Sequence, residues 1–424
     1  MSENTEFSRE RQIEVYVSGM AGDKPHVPVD VGRLRDAARE RMSPEAFAYI
    51  AGGAGTENTM QANRDSFNRY CIVPRMLRDV SQFTTSTQVL NTQLPSPFML
   101  APIGVLDMAH PDADTAVARA AADENIPMIF SSQASRSMEE MAGVMGNSPR
   151  WFQLYWSKMD DLVVSFVQRA EESGCEAIVV TLDTTMLGWR IRDLDLAYLP
   201  FLRGRGIAQY TSDPVFMQSL KEEAAAPAPA RKITLQSIQG LLEMVSNHPG
   251  GMLDNLRSGE AIAAVQKFIA TYSRSSLTWD NLSFLREHTQ LPILLKGILH
   301  PDDACHAVDV GMDGVIVSNH GGRQVDGAIG AFDALPDVVS AVDNQIPVLM
   351  DSGIRTGADI FKAIAMGAKA VCLGRPYVYG LAAGGYDGVR EVLRNFKADF
   401  ELTMRLSGCR FVEEITRDHI KRIE

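Results

Sequence analysis

The sequence predicts an α/β protein, a (β/α)8 barrel with a long insertion after its fourth strand. Three observations carry this. Eight short apolar runs rich in β-branched residues recur along the 424 residues, stretches of helical period follow them, and all but RWFQLYW end in small, polar or charged residues. Eight buried-type strands favour closure into a barrel, because open doubly wound sheets more often stop at about five or six.

In chain order the strands are PFMLAPIG (97–104), IPMIFSS (126–132), RWFQLYW (150–156), AIVVTLD (177–183), LPILLKG (291–297), GVIVSNH (314–320), IPVLMDS (346–352) and AVCLGR (370–375). Helical stretches such as DADTAVARAAADENI after the first and PDDACHAVDVG after the fifth fill the crossovers, with Gly or Pro before the next strand. Barrels often exceed the average domain length, so residues 1–424 are expected to form a single domain, with 1–96 as an N-terminal helical cap segment. Over a hundred residues separate Asp183 from Pro292, too many for a simple βα loop. Residues 185–290 are therefore expected to be a long loop or lid insertion. Its middle, KEEAAAPAPARK (221–232), has the composition of a flexible spacer. A tolerated surface insertion is the alternative, but a lid suits a barrel enzyme better.

Composition narrows the function. The net charge of −12 opposes general binding to nucleic acid or anionic membrane. The N-terminal MSENTEFSRERQIEV lacks the apolar run of a signal peptide or anchor, and no stretch has the roughly 18 apolar residues of a membrane helix. Five widely spaced cysteines without a CxxC pair indicate neither a disulfide framework nor a zinc site, and point to a reducing, cytoplasmic compartment.

Barrel enzymes place their chemistry at the C-terminal ends of the strands, and here those ends complement one another. Strand six ends in Ser318-Asn319-His320-Gly321-Gly322-Arg323, which offers a base and a carboxylate clamp on one tight loop. Strand four ends in Thr181-Leu182-Asp183, with Arg190 shortly after; an aspartate there can orient the imidazole and stabilise imidazolium. Gln153 and Tyr155 on strand three share a face, and Lys296 closes strand five beside a prospective anion. A lone His or Asp after a strand is more often solvated or a helix cap. Four strands ending in matched polar groups tell against that reading. Strands seven and eight end in Asp351-Ser352-Gly353-Ile354-Arg355 and Gly374-Arg375, where barrels commonly bind phosphate. No GxGxxG or Walker pattern opens a strand-helix turn, which disfavours a nicotinamide cofactor. Ala101-Pro102-Ile103-Gly104 suits a flat ring laid against backbone, so FMN satisfies both ends.

Together these residues resemble the FMN-dependent 2-hydroxy-acid oxidases and dehydrogenases, from about Tyr49 to Ile415. The motifs are YIAGGAG (49–55), PRMLRDVS (74–81), APIG (101–104), FQLY (152–155), TLDT (181–184), LLKG (294–297), SNHGGRQ (318–324), DSGIRTG (351–357), GRP (374–376) and LSGCR (406–410). LGWRIRDL with PFLRG and TSDPVF is most similar to the lactate 2-monooxygenase type. The resemblance implies that His320 is the base, Asp183 its partner and Tyr155 a hydrogen-bond partner of the substrate hydroxyl, with Arg323, Arg190 and Tyr49 holding the carboxylate. It implies that Lys296 stabilises negative charge on reduced flavin. Gln153, Thr181, Ser131 and Ser318 would bind the ring or its chain, and Gly353, Arg355, Gly374 and Arg375 the phosphate. The sequence departs from many members in having Trp189 where a second arginine is common, Gly104 where plain oxidases carry Ala, and Gln133 where others carry Trp or an apolar residue near the substrate. Gln133 would accept a polar substrate side chain.

The expected reaction oxidises a small, lactate-like L-2-hydroxy acid to the 2-oxo acid, with oxygen as acceptor and oxidative decarboxylation open. Its rivals are a dehydrogenase serving a quinone or protein acceptor, a flavin-free barrel using cysteine chemistry, and a non-catalytic flavin- or phosphate-binding barrel. Cys372 lies inside strand eight and Cys175 before strand four, which suits neither to a thiolate mechanism. The family resemblance implies a homo-oligomer, a tetramer or larger.

Overall fold

A computed structural model describes residues 6–222 and 234–423. Eight parallel strands close into a barrel: β1 (Phe98–Leu100), β2 (Met128–Ser131), β3 (Arg150–Leu154), β4 (Ile178–Thr181), β5 (Ile293–Ile298), β6 (Gly314–Val317), β7 (Val348–Met350) and β8 (Ala370–Leu373). Neighbours follow chain order, and β8 pairs with β1 through Val371 opposite Phe98. Each strand falls in one of the eight apolar runs of the sequence, β5 running one residue past its run to Ile298.

Alternation along the strands sorts side chains into two cores. Met99, Ile129, Trp151, Val179, Leu294 and Ile316 fill the barrel interior. Their neighbours Leu100, Phe130, Phe152, Val180, Leu295 and Val317 face outward, into the larger core under the helices. Continued towards the C-terminal ends, the inward face turns polar: Ile129 gives way to Ser131, Trp151 to Gln153, Val179 to Thr181 and Leu294 to Lys296. The opposite end is closed by a hairpin, Thr87–Val89 with Thr92–Leu94. Val89 and Leu94 join the inner core, and Trp151 Nε1 donates to Thr92 Oγ1 at 2.8 Å.

Before β1 stand α1 (Phe7–Met20), α2 (Val31–Arg41), α3 (Pro44–Ala51) and α4 (Asn58–Asn68). This segment also carries short strands absent from the sequence reading, the hairpin and Tyr70–Ile72, which pairs antiparallel with Ile420–Arg422. Helix α3 starts as its sequence dictates, with Ser43 Oγ accepting from Ala46 N and Pro44 in the first turn. Helix α1 is strapped to the C-terminal helical stretch Arg375–Leu406, where Glu401 accepts from Ser8 and Arg394 pairs with Glu14. Within 185–290 the described residues are largely helical, including Leu235–Asn247 and Glu260–Thr271. Phe201, Tyr210, Phe216 and Phe268 give this insertion a buried aromatic core of its own. Residues 223–232 of the expected spacer lie outside the described residues.

Candidate active site

The strand ends converge on a void of about 1050 Å³, its open mouth included. His320 lines it from the loop after β6, in a backbone conformation (φ 56°) uncommon outside glycine. The turn continues through Gly321 (φ 66°) and Gly322 (φ 76°); a Cβ on Gly322 would meet the Met60 backbone nitrogen at 2.7 Å. Glycine therefore lets α4 approach the turn. Asn63 on α4 and Asn319 lock the approach by exchanging side-chain hydrogen bonds at 2.8 and 2.7 Å.

His320 Nδ1 lies 2.9 Å from Asp183 Oδ1. The carboxylate fixes the tautomer with the proton on Nδ1, which leaves Nε2 as the basic atom. No described residue hydrogen-bonds Nε2. Burial lowers the pKa of His320, against the opposing pull of Asp183. Burial works to raise that of Asp183, but the positive charges of His320 and Lys296, with hydrogen bonds from His320 and Thr184, hold it below the usual value. Tyr155 lines the same void, its phenol kept protonated chiefly by burial.

Two guanidinium groups flank this pair. Arg323 and Arg190 stand against the ring of Tyr49, 4.9 and 5.7 Å from its centroid. Arg323 donates to the carbonyl oxygens of Tyr49 and Gly52, at the C-terminal end of α3, where helical carbonyls lack intrahelical partners. Burial, then the like charge of Arg190, lowers the Arg323 pKa to about 9. Two cations, Arg190 buried and Arg323 partly so, face one void and make a receptor for an anion.

A second cationic pair sits at β7 and β8. Arg375 donates to Ile50 O, Gly321 O and Gly52 O at 3.0, 3.0 and 2.9 Å. Arg355 is brought to about 10 by burial and then by Arg375. Its loop is held by Asp359, whose Oδ2 accepts from Arg355 N at 2.8 Å and from Arg64 Nη1 at 2.8 Å. Between the two pairs, Lys296 Nζ bridges Asp351 Oδ2 (3.0 Å) and Ser318 Oγ (2.8 Å). Despite burial, Asp351 and Asp183 keep it firmly protonated.

Residues 38–422 match the family model described as FMN-dependent dehydrogenase. The chain belongs to that family. It is 40 % identical over 386 residues to an L-lactate oxidase of Lysinibacillus sphaericus, covering 91 % of each chain. It is 39 % identical over 413 residues to an FMN-dependent alpha-hydroxy acid dehydrogenase of Penicillium citrinum, covering 97 % of this chain and 95 % of that protein. A crystal structure of mandelate oxidase with (S)-4-hydroxymandelic acid superposes with a TM-score of 0.77 at 35 % identity, over 93 % of this chain and 98 % of that one.

The cofactor of the family is FMN, and the residues present fit it. Gln153 Nε2 and Thr181 Oγ1 are buried without a partner, which native interiors avoid unless a ligand supplies one. Pro102, Ile103 and Gly104 line one wall. Gly353 (φ 92°) takes a conformation L side chains rarely adopt, and the only atom within 4 Å of a Cβ built on Gly374 is Ile103 Cδ1, at 3.6 Å. That leaves open space against backbone beside Arg355 and Arg375.

Of the residues singled out in the sequence, Tyr49, Tyr155, Arg190, Arg323, His320, Lys296, Pro102, Ile103, Gly104, Asp351, Ser352, Gly353, Ile354, Arg355, Gly374 and Arg375 line the void. Asp183 supports His320 from beside it. Ser131, Gln153, Thr181 and Ser318 are buried on the inward face of the strands. Trp189 is 72 % exposed and does not line the void. Sequence reasoning missed Gln324, whose Nε2 donates to Asp183 O at 2.7 Å while its Oε1 accepts from Arg190. It ends the SNHGGRQ motif, so a signal stood beside the residues taken. It also missed Phe201 and Tyr272 of the insertion, which line the void.

Proposed function

We propose that this site oxidises a small L-2-hydroxy acid to its 2-oxo acid, with oxygen as the final acceptor. The observation that carries the reading is the Asp183–His320 pair, with Nε2 unengaged, between a doubly cationic anion receptor and a cavity floor of unpaired polar atoms. Arg323 and Arg190, with Tyr49, hold the substrate carboxylate. Tyr155 hydrogen-bonds the hydroxyl, and His320 Nε2 takes a proton from the substrate. Asp183 stabilises the imidazolium that results. Bound FMN would supply the acceptor for the two electrons and for the second hydrogen that the substrate loses. Lys296 would hold a fixed positive charge beside it, Gln153, Thr181, Ser131 and Ser318 would serve its ring or chain, and Gly353, Arg355, Gly374 and Arg375 would hold its phosphate.

Residues 185–290 act as a lid in this reading: Phe201 and Tyr272 face the void, and Arg205 of the insertion pairs with Asp107 after β1 at 2.7 Å. Residues 1–424 act as one barrel domain with 1–96 as a cap. Five free thiols support a reducing, cytoplasmic setting, and no helix among the described residues is long and apolar enough to cross a membrane. The spacing of Ile13, Tyr16, Val17 and Met20, all exposed on one side of α1, supports a homo-oligomer; a light-scattering mass of a single chain would reject it.

Anaerobic addition of L-lactate and other small L-2-hydroxy acids to the yellow protein tests the reaction. Bleaching of the flavin is expected, and its absence with every acid sinks the proposal. Admitting oxygen and assaying peroxide against acetate then separates simple oxidation from the decarboxylating course of the lactate 2-monooxygenase type.

A further inference from the structure

Most polar side chains around the void are committed. The arginines serve anions, His320 and Thr184 engage Asp183, and Lys296 and Ser352 engage Asp351. Gln133 is not committed. It is 8 % exposed and lines the void, yet its side-chain amide has no hydrogen-bond partner among the described residues. Only its backbone is engaged, the nitrogen donating to Ser131 Oγ at 3.1 Å and the carbonyl accepting from Val105 N at 2.9 Å.

That backbone is held from two sides. A Cβ on Gly104 would fall 2.7 Å from the Gln133 carbonyl oxygen and 2.8 Å from its Cβ, and one on Gly206 would fall 3.0 Å from the same oxygen. The end of β1 and the insertion therefore close on residue 133, and the amide extends from a fixed base. From the insertion, Phe201 and Tyr272 give the cavity an aromatic stretch of wall beside Leu187 and the carboxylate-clamping Arg190. The amide opens onto the void, where water can pair with it; a ligand that displaces that water with an apolar group leaves it unpaired, at a desolvation cost an apolar residue would not incur. A ligand group that pairs with it recovers that cost.

We infer that Gln133 is a specificity-determining residue that reads a neutral hydrogen-bonding group, a hydroxyl or an amide, on the side chain of the 2-hydroxy acid. This rests on the reaction proposed above. The amide offers both a donor and an acceptor, which a neutral polar group matches and the methyl of lactate does not. A carboxylate fits less well, because a neutral amide cannot offset the burial of a charge.

The test uses the FMN-loaded enzyme and anaerobic flavin reduction with size-matched pairs: L-2-hydroxypentanoate against L-2,4-dihydroxybutyrate, and L-4-methylmandelate against L-4-hydroxymandelate. In at least one pair the polar acid should show a reduction rate constant over Kd higher by about 10-fold or more. Gln133→Met, similar in shape but without the donor and acceptor, should bring that ratio to within about twofold of unity. The Kd of the corresponding 2-oxo acids, read from the perturbation of flavin absorbance, should move the same way. A preference for the apolar acid in both pairs, or a ratio unchanged in Gln133→Met, overturns the assignment and leaves the reaction standing. Failure of every acid, lactate included, to reduce the flavin overturns the reaction and this inference with it.

Discussion

Burial holds the His320 imidazole below its usual pKa while Asp183 pulls it the other way. In the proposed reaction the neutral ring acts as the base, so its active form persists to a pH below about 6.5. The rate of flavin reduction should be flat through neutral pH and fall only below that value; a fall centred higher contradicts the geometry. His320→Gln should retain FMN and lose reduction by about 10²- to 10⁴-fold, and reduction near the original rate would remove His320 from its role. Asp114 lies away from this chemistry and is 1 % exposed, its Oδ2 accepting from Ser135 N at 2.8 Å. Burial raises its carboxyl from 3.8 to about 7. Its folded pKa exceeds the unfolded one, so its contribution to stability is fullest below about pH 4 and is lost as pH rises through about 7. Asp114→Asn should therefore gain on the wild type by about 3 kcal/mol between pH 5 and pH 8. Urea unfolding at the two pH values measures this, and a constant difference would refute it. The partners of His320 could be named from residue type, whereas Asp114 could not be told from a helix-capping aspartate, because its burial comes from elements distant in the chain.

Among the elements, helix Gly357–Ala365 links packing to the Arg355 end of the site, where the phosphate is proposed to sit. Thr356 caps it, and Asp359 in its first turn fixes the Arg355 loop. A Cβ on Gly357 would lie 2.2 Å from Phe400 N and 2.4 Å from Asp399 C, backbone atoms of the C-terminal helical stretch that cannot swing aside. Gly357→Ala should cost about 1–3 kcal/mol in unfolding free energy through overpacking, and should weaken FMN binding because Arg355 moves with the helix. Unchanged stability and FMN affinity would show that the two helices separate freely. The glycine was visible in DSGIRTG, but nothing in that motif marks it as a packing site. Its packing role comes from a residue more than forty positions later, which no local pattern encodes.

For the molecule as a whole, the strand ends and the carbonyls of α3 enclose one void, so a ligand that fills it binds the folded chain and not the unfolded one. Protein stripped of FMN should melt at a temperature that climbs with added FMN, and the gain in stability should reach about 2.7 kcal/mol at a hundred times Kd. Arg375→Met should flatten that dependence. A melting temperature indifferent to FMN would mean that the cofactor site is not part of the cooperative fold.

Strand number, barrel closure and the inward polar face follow from the sequence alone, because period-two alternation and strand-end residues are local properties of the chain. Residue types also sufficed to pair His320 with Asp183. Other features belong to the tertiary structure. Tyr49 becomes part of the anion receptor only because α3 lies across the mouth, and Gln324 acts because it reaches the carbonyl of Asp183 from the other side of a tight turn. Phe201 and Tyr272 reach the void because the insertion packs around its own aromatic core, and Gln133 is held because two glycines far apart in sequence close on it. In each case the deciding distance lies between segments remote along the chain, set by packing that no single stretch of sequence contains.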